Sequence, residues 1–126
     1  MYTLEKTFFF EAGHTLEHHD GKCKSPHGHN YGLTITLCNT KINSSGPKKN
    51  MLIDFNDVSR LVRPMLDEYF DHKWLNDTLD TDSPTAEYIA FWIYNHLKPQ
   101  IALLHSVTIN ETPTNKVIYT ERAPAP

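Results

Sequence analysis

Strict alternation of side chains over residues 30–42 is the feature that most constrains how this chain folds. On one side of that stretch, taken as an extended segment, stand the apolar residues Tyr31, Leu33, Ile35 and Leu37. The other side carries glycine, threonine and cysteine, which are neither strongly apolar nor charged. A period of two is typical of a strand whose sheet buries only one face. The pattern therefore predicts an antiparallel sheet that is covered on one side.

Three other segments have the composition of strands. Residues 2–12 are rich in tyrosine, threonine and phenylalanine, and residues 107–111 alternate like the first segment. A short stretch at 117–120 follows a turn-like sequence that contains proline and asparagine. These segments predict four strands, two towards each end of the chain.

Two helices are predicted between the strand pairs. Apolar residues over 58–70 recur at the spacing of an amphipathic helix, and Pro64 inside this stretch should bend it. Ser83 followed by Pro84 is typical of a helix N-terminus, and Pro99 ends this second helix. The element order ββααββ predicts an α+β domain, with a four-stranded antiparallel sheet and both helices on one face.

Size and composition limit the class of protein. The 126 residues are 39% hydrophobic and 21% charged, which fits one domain over residues 1–121, with 122–126 as a flexible tail. The net charge is −3 and basic residues are scattered, so neither nucleic acid nor a membrane is an expected partner. The N-terminus lacks the apolar stretch of a signal peptide, and two cysteines cannot build a disulfide framework. We expect a cytoplasmic protein.

A sheet of this kind leaves one face and two edge strands open. Soluble proteins tend to protect such edges, because an unpaired edge can pair with another chain. Thr34, Thr36 and Cys38 give the open face a character that is neither strongly apolar nor charged. We therefore expect a homo-oligomer in preference to a monomer.

Histidines are concentrated in one short stretch, with five of the eight between residues 14 and 29. His27 and His29 flank a glycine, so in an extended segment both imidazoles point to the same side. His14 closes the first strand, and antiparallel pairing would bring it to the same place. Three neutral imidazoles are typical of a catalytic zinc site with one open position, which we favour slightly over exposed loop histidines. The other two histidines are expected to be solvated, namely His18 and His19.

Cys23 lies four residues before His27, and its spacing is compatible with three roles. As a fourth zinc ligand it would close the site and make it structural. As a thiolate it would be a base beside an open zinc site. As an inert thiol it would take no part in chemistry. The residues alone do not choose between these roles.

Two further positions are ambiguous. Asp71-His72 follows the first helix, where a histidine is commonly a partner of the helix dipole and an adjacent aspartate is solvated. A carboxylate and an imidazole arranged to carry a proton are the less favoured alternative. Glu111 continues the apolar positions Val107 and Ile109 in phase. It lies either in water at the strand end or against a buried pair of donors.

Several groups of residues, spread in order over nearly the whole chain, match one known family. They are Phe8-x-Phe10-x-Ala12-x-His14, Cys23-x-x-x-His27-Gly28-His29-x-Tyr31, Asp54-Phe55, Asp71-His72-x-x-Leu75-Asn76, Pro84-Thr85-x-Glu87 and Glu111-Thr112. In these residues the chain resembles the 6-pyruvoyltetrahydropterin synthase family. A chance match of so many separate motifs is very improbable.

The resemblance implies the tunnelling fold, in which subunits join their sheets into a barrel and usually form a hexamer of two trimers. It also implies active sites at the subunit interfaces, which agrees with an open sheet face. By the same resemblance, a zinc ion would be held by His14, His27 and His29.

Other roles follow from the resemblance residue by residue. Cys23 would be the catalytic base, and Asp71 with His72 would be a proton relay, which replaces the solvated interpretation given above. Glu111 would anchor the pterin ring of the substrate. Thr85 would be a further substrate contact.

The residues just before the His-Gly-His motif separate branches of this family. Three residues stand between Cys23 and His27, as in the 6-carboxytetrahydropterin synthases of queuosine biosynthesis. Mammalian-type pyruvoyl synthases have a longer spacing, and the folate-rescue branch has a glutamate instead. The resemblance thus implies a zinc-dependent lyase that converts 7,8-dihydroneopterin triphosphate to 6-carboxy-5,6,7,8-tetrahydropterin, acetaldehyde and triphosphate.

Two alternatives stay open at this point. One is a sister enzyme that makes 6-pyruvoyltetrahydropterin or cleaves the dihydroneopterin side chain. The other is a non-catalytic zinc protein, in which Cys23 and the three histidines form a closed site.

Departures from the family pattern are mild: Gly13 where alanine is common, Phe70 where leucine is common, and Ser83 where asparagine is common.

Overall fold

Four antiparallel strands form one sheet in the computed structural model, which describes residues 1–121. Their bounds are β1 Tyr2–His14, β2 His27–Asn39, β3 Leu104–Thr112 and β4 Asn115–Tyr119. The strands lie side by side in chain order. The predicted flexible tail, 122–126, falls outside the described residues. β2 begins earlier than predicted, so the His-Gly-His motif forms its first three residues instead of preceding it.

The helices lie between β2 and β3 in the chain. Their bounds are α1 Phe55–Met65, α2 Leu75–Thr78 and α3 Ala86–Leu97. Pro64 lies inside α1, and a π-helical turn over Leu66–Phe70 follows directly. Proline has no N–H to donate to the preceding turn, and two residues later the α-helical bonding changes to that of the π-helical turn. The short helix α2 was not predicted.

The start of α3 differs from the prediction. Its N-cap is Thr85, whose hydroxyl oxygen accepts a hydrogen bond from the N–H of Tyr88 at 3.1 Å, and not Ser83. The Pro84 carbonyl accepts a hydrogen bond from His14 at 2.8 Å, which is a contact outside the helix. The assignment to Ser83 was wrong because good capping residues flank Pro84 on both sides, and only the tertiary contact decides between them.

The sheet face below the helices forms the core. Its buried strand residues are Phe8, Phe10, Tyr31, Leu33, Ile35, Leu37, Val107 and Ile109. The helices contribute Val58, Val62, Met65, Ile89, Ile93 and Leu97. A slip of one residue in any strand would turn that strand's core residues towards the opposite face, so burial fixes the register. The predicted α+β fold, with the main helices on one face, is confirmed.

The opposite face of the sheet is not covered by a helix in the described part of the chain. Phe9 of β1 lies on it with 72% of its surface exposed, across from Gly32 of β2. The strands β1 and β4 are the edges of the sheet. Within residues 1–121, none of the helices is both long enough and apolar enough to span a lipid bilayer.

Candidate metal centre and active site

The pairing of β1 with β2 brings the predicted metal ligands together. His14 is opposite His27, and Ala12 is opposite His29, in the antiparallel register. The three histidines are in phase with the core positions of their own strands, so they extend the core-facing side of the sheet at one end. His14 is buried, whereas His27 and His29 are partly exposed.

Four side chains converge at this end of the sheet. The ligand atoms of His14, His27, His29 and Glu111 all lie within 4.8 Å of one another. The Nε2 atoms of His14 and His27 are 2.9 Å apart. Glu111 Oε1 lies 2.8 Å from His29 Nε2 and 3.7 Å from His14 Nε2. Glu111 therefore faces the histidines at the end of β3 and is not in open water.

In two of the histidines, a hydrogen bond to the main chain determines which ring nitrogen is free to bind a metal ion. His14 Nδ1 lies 2.8 Å from the carbonyl oxygen of Pro84, and His27 Nδ1 lies 2.7 Å from that of Ser25. A carbonyl can only accept, so each Nδ1 carries the proton and donates it. In the neutral rings both Nε2 atoms then hold bare lone pairs that face each other, an arrangement that a shared cation would stabilise.

The third histidine supports the same conclusion. His29 Nε2 is buried and has no hydrogen-bond partner of good geometry among residues 1–121, although Glu111 Oε1 is close. A buried polar atom without a partner is costly unless another group satisfies it. Neutral imidazole nitrogens and a carboxylate are common metal ligands. This group of side chains can hold a metal ion.

Burial favours the protonation state of His14 that binds a metal ion. It lowers the pKa of His14 below the ordinary value of 6.5, and the hydrogen bond to Pro84 opposes this effect in part. The ring is therefore favoured in its neutral form, which is the form that binds a metal. Beside it, burial raises the pKa of Tyr31, whose hydroxyl lies 3.4 Å from His14 Nδ1.

The Asp71-His72 pair is held against β1. The N–H of Asp71 donates to Leu66 O at 2.7 Å, which closes the π-helical turn. Asp71 Oδ1 accepts from the N–H of Glu11 at 3.1 Å, and His72 N–H donates to Glu11 O at 2.6 Å. His72 has a φ of 58°, a left-handed conformation that these contacts maintain.

The two side chains of this pair also contact each other. His72 Nδ1 lies 3.2 Å from Asp71 Oδ2. The hydrogen bond from Glu11 N–H, together with His72, holds the pKa of Asp71 below its ordinary value of 3.8. An ionised carboxylate at this distance can accept the Nδ1 proton of His72, whose Nε2 atom lies 3.7 Å from Glu11 Oε2. Contrary to expectation from the residues alone, Asp71 is not a simple solvated side chain.

A cleft of about 600 Å³ connects the metal group with this pair. His29 is on one side of the cleft and His72 is on another. The remaining lining includes Glu11, Gly13 and Trp74. The cleft therefore borders one histidine of the metal group and His72, although the Nε2 atom of His29 is itself buried.

Two other predicted site residues lie outside the metal group. Cys23 is in a 3-10 turn over Lys22–Lys24, and among the described residues the convergent ligand atoms do not include its thiol. A closed site of Cys23 and three histidines therefore has no support in this geometry. The Thr85 hydroxyl oxygen accepts the capping hydrogen bond of α3, next to the proline that binds His14.

Comparison with known proteins identifies the family. The family model described as 6-pyruvoyl tetrahydropterin synthase matches residues 3–122. The chain belongs to this family. The resemblance inferred from the motifs is thereby confirmed, and the family fold agrees with the observed sheet and helices.

Two relatives of this family member are similar over almost their whole length. The chain is 37% identical over 120 residues to the 6-carboxy-5,6,7,8-tetrahydropterin synthase of Synechocystis, covering 94% of this chain and 93% of that protein. The Haemophilus influenzae protein of the same name is 34% identical, covering 96% and 100%. The structure of Caenorhabditis elegans 6-pyruvoyl tetrahydropterin synthase superposes with a TM-score of 0.82 at 28% identity, covering 96% of each chain.

Some contacts in this family member were missed by the sequence analysis. The proximity of Glu111 to the histidines was not anticipated, although its in-phase position after Ile109 was a usable signal. The Pro84 and Ser25 carbonyls were not anticipated either, and no signal reveals them because every residue has a carbonyl. Asn76 was noted only as part of a motif.

Proposed function

We propose that this protein is a 6-carboxy-5,6,7,8-tetrahydropterin synthase of queuosine biosynthesis, acting in the cytoplasm. Its reaction would convert 7,8-dihydroneopterin triphosphate to 6-carboxytetrahydropterin, acetaldehyde and triphosphate. The observation that supports this most strongly is the convergence of three imidazole Nε2 atoms beside a cleft that His72 also lines. The names of the Synechocystis and Haemophilus relatives favour the same activity.

We propose zinc as the metal of this centre, with His14, His27 and His29 as ligands. Three neutral histidines are a typical ligand set of catalytic zinc, which leaves a position open. When bound, zinc supplies a Lewis acid for the oxygens of the substrate side chain. The main-chain hydrogen bonds of His14 and His27 keep the ligand nitrogens pointed at this position.

The protein's other residues would bind the substrate and move protons. Cys23, as a thiolate, would remove a proton from carbon beside the pterin ring. His72, oriented by Asp71 through Nδ1, would exchange protons at Nε2. Glu111 would accept hydrogen bonds from the adjacent N–H donors of the amino-pyrimidine edge, which a carboxylate matches in geometry. Thr85 would be a further contact to the ring.

We propose a homo-hexamer made of two trimers as the active assembly. The open sheet face, the sheet edges formed by β4 and by the part of β1 before Glu11, and the high exposure of His72 support this. A neighbouring subunit over this face would remove the active-site groups from bulk water. Exclusion of water would strengthen the electrostatic contacts inside the site.

Incubation of the zinc-loaded protein with 7,8-dihydroneopterin triphosphate, followed by mass analysis, tests the proposed function. We expect 6-carboxytetrahydropterin and acetaldehyde in equal amounts. Formation of 6-pyruvoyltetrahydropterin without an aldehyde would instead favour the sister activity in the name of the Caenorhabditis structure. A protein with full zinc content and no pterin product would contradict both activities.

A further inference from the structure

Asn76, in α2, holds a backbone segment that is 61 residues away in the sequence. Its Oδ1 accepts a hydrogen bond from the N–H of Thr15 at 2.9 Å, and its Nδ2 donates to the Thr15 carbonyl at 2.9 Å. One side-chain amide thus satisfies both backbone groups of Thr15, as a neighbouring strand would. Thr15 directly follows His14 and begins the loop that contains Cys23.

The contacts continue from Thr15 to Cys23. The Thr15 hydroxyl donates to the carbonyl of Lys24. The N–H of Leu16 donates to the carbonyl of Cys23 at 2.9 Å. The carbonyls of Cys23 and of the next residue are therefore fastened to Leu16 and to Thr15, and Asn76 holds Thr15.

Asn76 is itself held in place by a buried neighbour and by hydrogen bonds of α2. Leu75, the residue before it, is fully buried in the core. The Asn76 carbonyl accepts from the N–H of Thr81 at 3.1 Å, and the Thr78 hydroxyl donates to Tyr69 O at 2.7 Å. The latter bond joins α2 to the π-helical turn that leads into Asp71 and His72. Asn76 therefore links the Cys23 loop to the element that supports the relay pair.

We propose that Asn76 is a positioning residue that holds the backbone of Cys23 in place relative to His14. This inference rests on the proposed function, in which Cys23 is the base. Proton transfer requires heavy atoms within about 2.6–3.2 Å, so a loop that moves by an ångström loses rate. Binding of the pterin through Glu111 does not depend on that loop. Loss of Asn76 should therefore lower kcat much more than it raises KM.

Hydrogen exchange tests, independently of catalysis, whether Asn76 holds Thr15 in place. The Thr15 amide is a direct reporter, because its hydrogen bond is to Asn76 Oδ1. In Asn76→Ala we expect this amide to exchange faster by roughly tenfold or more, with the amides of β2 unchanged. Asn76→Asp keeps an acceptor and should give an intermediate rate. The control is Asn95→Ala, an exposed asparagine of α3 whose side-chain amide donates to Phe91 O within its own helix.

Kinetics with 7,8-dihydroneopterin triphosphate tests the consequence. For Asn76→Ala we expect kcat to fall on the order of 10²-fold, with zinc content unchanged and KM nearly unchanged. Asn76→Asp should recover part of the loss. Thr15→Val, which removes only the hydroxyl bond to Lys24, should lower kcat without changing the Thr15 amide exchange. A merely structural role would lower the melting temperature and leave kcat per folded, zinc-loaded subunit unchanged.

Either of two results would overturn the proposal. One is an exchange rate of the Thr15 amide in Asn76→Ala equal to that in the wild type, and the other is a kcat of Asn76→Ala equal to that of Asn95→Ala. Should Asn76→Ala fail to fold, Asn76→Asp is judged by the same two measurements, and Thr15→Val is judged by kcat alone. If the wild-type protein turns over no pterin, the proposed function and the catalytic role of Asn76 both fail. The exchange measurement would then still show whether Asn76 holds the loop.

Discussion

The indole ring of Trp74 lies over Gly13, where the first carbon of any side chain would stand 3.1 Å from the ring atom Cε3. The two residues form a parallel β-bridge, and the N–H of Gly13 donates to Lys73 O at 3.1 Å. The family pattern commonly has alanine at position 13. The contact explains the glycine of this chain, because the ring takes the space of the methyl group.

Gly13→Ala is expected to destabilise the protein by about 1 kcal/mol. This loss of unfolding free energy is at the lower end of the range for overpacking, because Trp74 is 37% exposed and can shift outwards. Denaturant unfolding of Gly13→Ala, Trp74→Leu and the double variant checks it. The double variant should be no less stable than Trp74→Leu alone. If Gly13→Ala is as stable as the wild type, the steric explanation is wrong.

Removal of a ligand should empty the metal centre. We expect one zinc per chain in the wild type and little or none in His27→Ala or His29→Ala, because two imidazoles make a poor zinc site. Elemental analysis of purified protein measures this. His105→Ala, which removes an exposed histidine of β3 outside the group, is the matched control. Full zinc occupancy in a His27→Ala, His29→Ala double variant would refute the ligand assignment.

Cys23→Ala should abolish turnover and keep the metal. General-base assistance is worth roughly 10²- to 10⁴-fold in rate, whereas loss of a structural zinc ligand would weaken metal binding and destabilise the fold. Zinc content, melting temperature and rate, measured together, separate these roles. Cys38→Ala, in the same strand as the proposed metal ligands His27 and His29, is the control. Loss of zinc with earlier unfolding would favour a structural site, and full activity would exclude Cys23 from both roles.

Acid should reveal the contribution of Asp71 to stability. Its pKa in the folded protein is below the ordinary value of 3.8, so its stabilisation is complete above that pH and is lost as the pH falls through the folded-state pKa. The difference in unfolding free energy between wild type and Asp71→Asn should therefore be constant from about pH 5 to 7 and shrink below pH 4. Chemical denaturation across this range measures it. A difference that is independent of pH would contradict the depressed pKa.

The open sheet face should be buried in an assembly. Light scattering at micromolar concentration is expected to give the mass of a hexamer. Phe9→Asp puts a charge on that face and should reduce the mass, whereas Phe55→Asp, at an exposed position of α1, should not. A monomeric wild type with full activity would rule out active sites that need a second subunit.

Alternation in the sequence predicted both the core and the candidate ligands, for one physical reason. His27 and His29 are in phase with Tyr31, and His14 is in phase with Phe10, so the same register that buries the core brings the histidines together. A slip by one residue would disperse both sets. Local spacing was thus sufficient for these residues.

Contacts that depend on the path of the chain were not predictable in this way. The approach of Asn76 to Thr15 requires the π-helical turn and α2 to return along β1, and no periodicity encodes that path. The start of α3 was misplaced for a similar reason, since the contact between His14 and Pro84 is between residues 70 apart. Local rules fail where a distant partner decides the local structure.

The partners of His14 and His27 are peptide carbonyls, and this affects how the protein can evolve. A side-chain partner can be deleted by one codon change, but a carbonyl is present whichever amino acid occupies position 84 or 25. Drift at these two positions can alter the shape of the backbone, yet it cannot remove the acceptor. The orientation of the proposed metal ligands therefore tolerates substitution at positions 25 and 84, provided that the path of the chain and the histidines themselves are kept.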